Sequence, residues 1–112
     1  MSIMLDRTTN KENVRPIKLV EGVFRKILTY NESVMLCHFL LEKDAKIPIH
    51  NHKEHQIGYV INGKIKFLTE SGAFIAKKGD SYVFDSNEKH WALIIEKAEV
   101  IEVFHPSRDD YK

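Results

Sequence analysis

The most restrictive feature of this sequence is a series of short runs of β-branched and aromatic residues, separated by turn residues at intervals of about ten. No stretch shows a sustained helical period with capping residues. About eight short strands joined by tight turns predict an all-β, antiparallel sandwich or barrel with little or no helix. The predicted strands are Val23–Tyr30, Val34–Leu41, Gln56–Ile61, Lys64–Thr69, Ala73–Ala76, Ser81–Phe84, Trp91–Ile95 and Val100–Phe104.

Two breaks between these runs are predicted to be turns. Asn62 and Gly63 separate two of the runs, and both residue types tolerate the positive φ of a type I′ turn, so the pair predicts a two-residue hairpin. The segment 96–98 lies between the last two runs. We expect the chain to turn there as well.

Composition and charge exclude several classes of protein. In the 112 residues, 17 Lys and Arg nearly balance 16 Asp and Glu, for a net charge of +1, so the basic surface of a nucleic-acid-binding protein is missing. The single cysteine, Cys37, cannot form an internal disulfide. No apolar run approaches the roughly 20 residues of a membrane helix, and the first residues lack a signal-peptide core. We expect a cytoplasmic protein without nucleic-acid or membrane partners.

The beginning of the chain differs from the remainder. Residues 1–13 are largely polar and precede the first convincing strand, which predicts a loose N-terminal arm or an element added to a partner's sheet. Residues 14–112 are predicted to form one barrel domain, since about 100–150 residues is the commonest domain size.

The segment from His50 to Gln56 carries most of the chemical information. Residues two apart on an extended chain point to the same face, so His50 and His52 can reach one point together. Gln56 has the same parity, and His90 begins a later strand. Neutral histidine is the commonest protein ligand for divalent transition metals. A His-x-His pair alone is also explained by two solvated histidines at the entry to a strand.

The spacing around these histidines resembles the two signature motifs of the cupin superfamily. The chain contains Pro48-x-His50-x-His52-x3-Gln56-x6-Gly63 and then Gly79-Asp80-x9-His90. The resemblance extends from Val23 to Arg108 and implies a single-domain jelly-roll β-barrel. It also implies that one divalent transition metal ion is bound, and Zn, Ni, Mn, Fe and Co all suit such ligands. The implied ligands are His50, His52, Gln56 and His90.

The sequence departs from the cupin pattern at the fourth ligand, where Gln56 replaces the usual Glu. Three imidazoles and one amide carry no ligand charge, so an ion held by them attracts anions more strongly. The other departures lie at turn and packing positions, namely Asp44, Asp85, Asn87 and Ile94.

The C-terminal residues narrow the resemblance. The segment 102–111 reads Glu-Val-Phe-His-Pro-Ser-Arg-Asp-Asp-Tyr. It is similar to the Asp-x-Phe-x-Pro-x-Arg-x-Asp-Tyr ending of short bacterial cupins of the KdgF type, which linearise 4,5-unsaturated monouronates in pectin and alginate breakdown. The resemblance implies a ring-opening activity on an acidic sugar. The matching residues are Glu102, Phe104 and Arg108, with Glu102 in place of the family's Asp.

Physical chemistry agrees with the roles implied for these three residues. Glu102 and Phe104 share parity on one strand, so both can point into a barrel. As catalytic residues, Glu102 can shuttle a proton and Arg108 can hold the uronate carboxylate through two hydrogen bonds. Phe104 can pack against a sugar face. The alternative places Glu102 on the outer face and pairs Arg108 with a neighbouring aspartate in water.

Two other classes of function fit the same motifs. Cupins with similar ligands include dioxygenases, cyclases and lyases, and a fold does not fix a chemistry. A non-catalytic barrel that binds a small molecule is the third candidate. Related small barrels pair through exposed strands, so the resemblance also implies a homodimer.

The remaining histidines and the cysteine are expected to have structural roles. His55 has the opposite parity to the implied ligands, which predicts a position on the surface or next to a metal ligand. His38 lies in an apolar strand and is expected to be a hydrogen-bonded residue of the barrel. His105 lies at a strand end and can line the mouth. Cys37 is expected to be a small core residue.

Overall fold

The computed structural model describes residues 2–112 and consists mainly of β-strands, which confirms the predicted all-β fold. Two 3-10 turns, Lys11–Asn13 and Asp109–Tyr111, are the only helical segments within this range. No helix in the described chain has the length and apolar character needed to cross a membrane. The strands are β1 (Ile17–Val20), β2 (Val23–Tyr30), β3 (Met35–Leu41), β4 (Lys46–His50), β5 (His55–Thr69), β6 (Gly72–Lys77), β7 (Ser81–Phe84) and β8 (His90–His105).

Antiparallel pairing arranges these strands in two layers that share the long strands β5 and β8. In the first layer, the beginning of β5 pairs with β7 and the end of β8, and β3, β2 and β1 follow on the other side of β8. In the second layer, the beginning of β8 pairs with β4 and the end of β5 pairs with β6. The layers close into a jelly-roll barrel around one core.

The chain does not reverse at Asn62 and Gly63, so the predicted hairpin is wrong. Strand β5 is unbroken here and pairs with β8 on both sides, with register shifts between Val60 and Ile65. Gly63 has a φ of 95°, and a Cβ there would lie 2.3 Å from the backbone oxygen of Lys97. Glycine with positive φ serves a β-bulge as well as a turn, so the residue pair does not distinguish the two.

The predicted turn at 96–98 is wrong for a related reason. Strand β8 is continuous, and Glu96 and Glu99 pair with Lys64 and Asn62 in the bulged part of β5. Both strands pass from one layer into the other here, which requires a local bend but no reversal of direction. Strand β8 keeps the same inward parity on both sides of this segment, whereas β5 changes its inward parity.

The two layers contribute different side chains to the interior. Most inward residues of the second layer are apolar, such as Ile65, Phe67 and Ile94, each at most 5% exposed, whereas His90 at the beginning of β8 is buried and polar. Burial of such a side chain contributes about 1.5–3 kcal/mol. The first layer instead buries Arg25 and Glu102. Because buried charges are costly unless they are paired, this part of the interior is where a functional site is expected.

The N-terminal residues lie outside the sheets. Residues 2–10 have no regular secondary structure, and Ile3, Met4 and Leu5 are exposed. The division into an arm of residues 1–13 and a domain of residues 14–112 stays a prediction.

Candidate metal centre and the surrounding pocket

Three of the four residues implied as metal ligands converge on one point. His50 ends β4, His52 follows in the loop before β5, and His90 begins β8. One ligand atom of each histidine lies within 4.8 Å of those of the other two. His90 is buried and the other two are half-buried. They are therefore a cluster and not independently solvated histidines.

Each histidine of this cluster is oriented by a nearby backbone carbonyl. Because a carbonyl oxygen only accepts, the Nδ1 atom facing it carries the proton and Nε2 presents its lone pair. Such an Nδ1 contact is the usual second partner of a metal-binding histidine. The Nδ1 atoms of His50, His52 and His90 lie 2.9, 2.9 and 2.8 Å from the oxygens of Pro48, Glu54 and Glu88.

The free Nε2 atoms fit a bound cation. Nε2 of His90 is buried without a hydrogen-bond partner. Nε2 of His52 lies 3.1 Å from Oε1 of Gln56, so two acceptors face each other while Nδ1 holds the His52 proton. A buried acceptor without a donor costs about 1–3 kcal/mol, and a cation held by these atoms removes that cost. Three imidazoles with an amide oxygen suit a divalent transition metal.

The surroundings of His52 and His90 favour their neutral forms. Burial lowers the pKa of His90 to about 4, although its hydrogen bond to the Glu88 carbonyl opposes the shift. Burial and the nearby Arg108 guanidinium lower the pKa of His52. Neutral imidazole is the form that binds a metal, so no proton has to leave these rings at neutral pH.

Gln56 connects the histidines to a second group of polar residues. Its Oε1 atom faces His52, while its Nε2 atom donates to Oε2 of Glu102 at 2.6 Å. The carboxylate oxygen can only accept, which assigns the two ends of the amide. The structure thus brings all four implied ligands together, and their role in metal binding stays a prediction.

Glu102 points into the barrel from β8, so the alternative that placed it on the outer face is wrong. It is 7% exposed, and its Oε2 atom also accepts a hydrogen bond from the Tyr82 hydroxyl at 2.5 Å. Burial raises the pKa of Glu102, and the hydrogen bonds from Tyr82 and Gln56 partly oppose that shift. A buried carboxyl group with these partners is suited to accept and return a proton.

Phe104 and Arg108 lie on the same side of the interior as the histidines. The Phe104 ring is centred 5.7 Å from that of His52, and the Arg108 guanidinium lies 5.2 Å from the Phe104 ring centre. Arg108 donates to both carboxylate oxygens of Asp110, at 3.2 and 2.8 Å. The pairing with a neighbouring aspartate is therefore confirmed, but Arg108 itself is only 8% exposed and not in open water.

Two residues beside Arg108, Arg25 and Tyr111, were not predicted from the sequence to belong to the site. The Tyr111 ring lies between two guanidinium groups, with the Cζ atoms of Arg25 and Arg108 at 4.0 and 3.9 Å from its centre. Arg25 is buried, and no carboxylate among residues 2–112 forms an ion pair with it. Arg25 has the same strand parity as Val23, an apolar residue, and this alternation was the sequence signal that could have predicted a buried arginine. Tyr111 is the last residue of the C-terminal motif, but no local sequence pattern predicts its position between two arginines.

Tyr82 was also missed. It lies on β7 with the inward parity of Phe84 and is 6% exposed. A tyrosine at an inward strand position is most often a core residue, because its ring is apolar and its hydroxyl needs only one partner. Nothing in the sequence near residue 82 predicts that the partner is a carboxylate on another strand.

The polar groups of the site surround a small cavity. Its volume is about 70 Å³, and its lining includes His50, Gln56, His90, Glu102, Phe104 and Arg108. This space accommodates an ion and a few ligand atoms. A ligand as large as a monosaccharide must therefore extend beyond this space, whose lining also includes Trp91 and Tyr111.

The residues expected to be structural lie outside the histidine cluster. His55 is exposed, and Cys37 is a core residue whose pKa burial raises to about 12. His38 is buried and bonded to Glu99 at 2.6 Å, as expected for a hydrogen-bonded residue of the barrel. His105 is exposed and does not line the cavity, so its expected place at the mouth is wrong.

Comparison with known proteins gives agreement in sequence and in fold. A family model described as "Cupin domain" matches residues 37–104. The pectin degradation protein KdgF of Dickeya dadantii is 34% identical over 96 residues, which cover 84% of this chain and 87% of that protein.

Two solved structures extend the agreement to nearly the whole chain. KdgF from Halomonas sp. superimposes with a TM-score of 0.89 at 25% identity, over 96% of this chain and 100% of that one. An RmlC-like cupin from Shewanella frigidimarina also gives 0.89, at 22% identity, over 96% of this chain and 97% of that one. This second likeness concerns the fold alone.

Proposed function

The chain belongs to the cupin family, among its small KdgF-type members, and on this premise we propose that it is a metal-dependent enzyme that opens the ring of 4,5-unsaturated monouronates. The observation that carries the proposal is the convergence of a histidine cluster, a buried carboxylate and a buried guanidinium on one cavity. The histidine cluster suits a metal ion, the carboxylate suits a proton transfer, and the guanidinium suits an acidic substrate.

His50, His52, Gln56 and His90 would hold one divalent ion. These neutral ligands accept Zn, Ni, Mn, Fe or Co. When bound, the ion supplies Lewis acidity and a positive charge that the ligands do not neutralise. The protein contributes the fixed Nδ1 contacts, which keep the three Nε2 atoms directed at one point.

Glu102 is assigned the proton transfer. The substrate ring is a cyclic hemiacetal, so loss of the proton from its anomeric hydroxyl forms the aldehyde and breaks the bond to the ring oxygen. The enolate that results takes up one proton at the neighbouring alkene carbon and becomes the open-chain ketone. Atoms and electrons balance without an oxidant or reductant. Because its pKa is raised by burial, Glu102 is suited to accept the first proton and to return it.

Arg108 and Phe104 are assigned substrate binding. Arg108 can form two parallel hydrogen bonds with the uronate carboxylate, and its burial strengthens that contact. The Phe104 ring is close to both Arg108 and His52, so it can contact the sugar and hold the reacting carbon near Glu102. Positioning of this kind contributes a large part of enzymatic rate enhancement.

The proposal is tested by supplying purified protein, loaded separately with Zn, Ni, Mn, Fe or Co, with an unsaturated monouronate and following the loss of its ring. We expect acceleration with at least one metal and none in the His50→Ala/His52→Ala variant. His55→Ala is the matched control, because this exposed histidine belongs to the same segment but not to the cluster. Failure of every metal form to accelerate ring opening rejects the proposed reaction.

We propose that the protein works in the cytoplasm. We also propose that a second copy of this chain covers the outer face of the first layer. Ile57 on β5 lies between Val83 on β7 and Val103 on β8, and these three outward side chains are 40–60% exposed. Adjacent exposed apolar side chains are typical of interaction sites. The molar mass from light scattering distinguishes one copy from two.

A further inference from the structure

Gly58 creates space for a side chain from the neighbouring strand. It lies on β5 directly between Tyr82 on β7 and Glu102 on β8. A Cβ at this position would lie 2.0 Å from Cζ and 2.3 Å from the hydroxyl oxygen of Tyr82. Gly58 has no positive φ, so the glycine is needed for room and not for backbone conformation.

The Tyr82 side chain occupies this space, and its hydroxyl donates a hydrogen bond to the carboxylate of Glu102. Oε2 of Glu102 accepts from the Tyr82 hydroxyl and from Gln56 Nε2, at 2.5 and 2.6 Å. Oε1 has no hydrogen-bond donor among residues 2–112. Two short contacts to one oxygen fix the orientation of the carboxylate and leave the other oxygen available to the cavity that Glu102 lines.

The same contacts determine which end of the Gln56 amide faces the histidines. Since Oε2 of Glu102 accepts only, the amide must present its NH₂ group to Glu102 and its oxygen to His52. With the amide reversed, an oxygen would face a carboxylate and an NH₂ group would face the metal position. The orientation of Glu102 therefore controls whether Gln56 can offer an oxygen ligand.

We propose that Tyr82, in the space left by Gly58, is a positioning residue that orients Glu102 and, through it, the amide oxygen of Gln56 toward the histidine cluster. This inference rests on the proposed metal site and gives Tyr82, which also lines the cavity, a role that it exerts through Glu102 and Gln56. Tyr82 supplies the second donor to Oε2, so its removal leaves Glu102 free to rotate and weakens the hold on the amide. Substitution of a residue that hydrogen-bonds a metal ligand typically lowers the affinity for the metal by 10–100-fold.

The test is a titration of demetallated protein with Co²⁺, followed by the visible absorption of the ion. Tyr82→Phe removes the hydroxyl but keeps the ring that packs 4.5 Å from Phe67, so the fold is retained. We expect about tenfold weaker Co²⁺ binding and a shifted visible spectrum, because the fourth ligand is no longer held. Tyr59→Phe is the matched control, since Tyr59 lies on the outer face of β5 and is 45% exposed.

A second variant tests the role of the glycine. Gly58→Ala places a methyl group where the Tyr82 ring lies, so it must displace the phenol and weaken Co²⁺ binding as Tyr82→Phe does. If wild type and Tyr59→Phe bind Co²⁺ and Tyr82→Phe matches them in affinity and spectrum, the positioning role is overturned while the metal site stands. If wild type itself binds no Co²⁺, both the site and the positioning role are rejected.

Discussion

The histidine cluster and the Glu102 network occupy one cavity but are organised in different ways. Each histidine is fixed by a backbone carbonyl two residues away in the chain. Glu102 is fixed by Gln56 and Tyr82, which are 46 and 20 residues away. The first region therefore depends on local backbone conformation, and the second depends on the register of β5, β7 and β8.

This difference suggests that the two regions fail in different ways, although Gln56 links them. A local change near one histidine alters one ligand, whereas a change in strand register displaces the whole carboxylate network. It also divides the proposed chemistry, because we assign the ion to the histidine cluster and the proton transfer to the Glu102 network.

The largest effect is expected from Glu102→Gln. The substitution removes the proton acceptor, so kcat for ring opening should fall about 10²–10⁴-fold, the usual contribution of general acid–base catalysis. The amide oxygen of Gln at this position still accepts from Gln56 and Tyr82, so Co²⁺ affinity should stay close to that of wild type. Steady-state kinetics and a Co²⁺ titration measure the two quantities. Parallel loss of both would show that the two regions do not act separately.

A smaller effect is expected from Asp110→Asn. Asp110 accepts hydrogen bonds from Nε and Nη2 of Arg108 and so competes with a substrate carboxylate for them, although its own side chain is 62% exposed. Removing its charge should lower KM for the uronate about two- to fivefold, in keeping with the strength of a partly exposed ion pair. The kcat value should not change.

Asp109→Asn is the control for this measurement, since Asp109 pairs with Lys112 and not with Arg108. A higher KM in Asp110→Asn would mean that Asp110 holds Arg108 in its binding orientation. Arg108 would then depend on a near neighbour in the same way as the histidines.

The smallest effect concerns Glu99, a second carboxylate held by residues far away in the chain. Its oxygen Oε2 contacts Lys11 and His38 on the outer side of the barrel, and hydrogen bonds from these two residues lower the pKa of Glu99 below its usual 4.5. Because the pKa of Glu99 is lower in the folded state than in the unfolded chain, the ionised carboxylate stabilises the fold above pH 4.5. This contribution is lost as the pH falls through the lowered pKa.

Glu99→Gln should therefore reduce Tm by about 1–2 °C near neutral pH. The difference from wild type should disappear in acid, where wild-type Glu99 is also uncharged. Thermal unfolding across this pH range measures it, with exposed Glu96→Gln as the control. A difference independent of pH would show that the charge of Glu99 does not stabilise the fold.

The parts of the structure that depend on local pattern could be predicted from the sequence. Short runs of β-branched and aromatic residues located β2, β3 and β5 to β8 but not β1 and β4, and the spacing of His50, His52 and Gln56 located candidate ligands. The bend at Gly63 could not be distinguished from a hairpin, because a bulge and a turn both use glycine with positive φ. Only the pairing of β5 with β8 on both sides of the bend decides between them.

The long-range contacts of the site lay beyond sequence analysis. The link between Tyr82 and Glu102 requires that Gly58 lie between them across three strands, and neither residue predicts the other. The position of Arg25 against Tyr111 joins β2 to the C-terminal turn. Such contacts follow from strand order and register, which a single sequence specifies only weakly.

The continuity of β8 limits how this protein can vary in length. His90 begins the strand and Glu102 and Phe104 lie near its end, all with the same inward parity. Insertion of one residue between them would rotate the distal part of the strand by half a turn, so that Glu102 and Phe104 would face outward while His90 stayed in place. Natural insertions and engineered tags are therefore expected in the surface turns, such as the one at Ser71 between β5 and β6, and not within the segment 91–101.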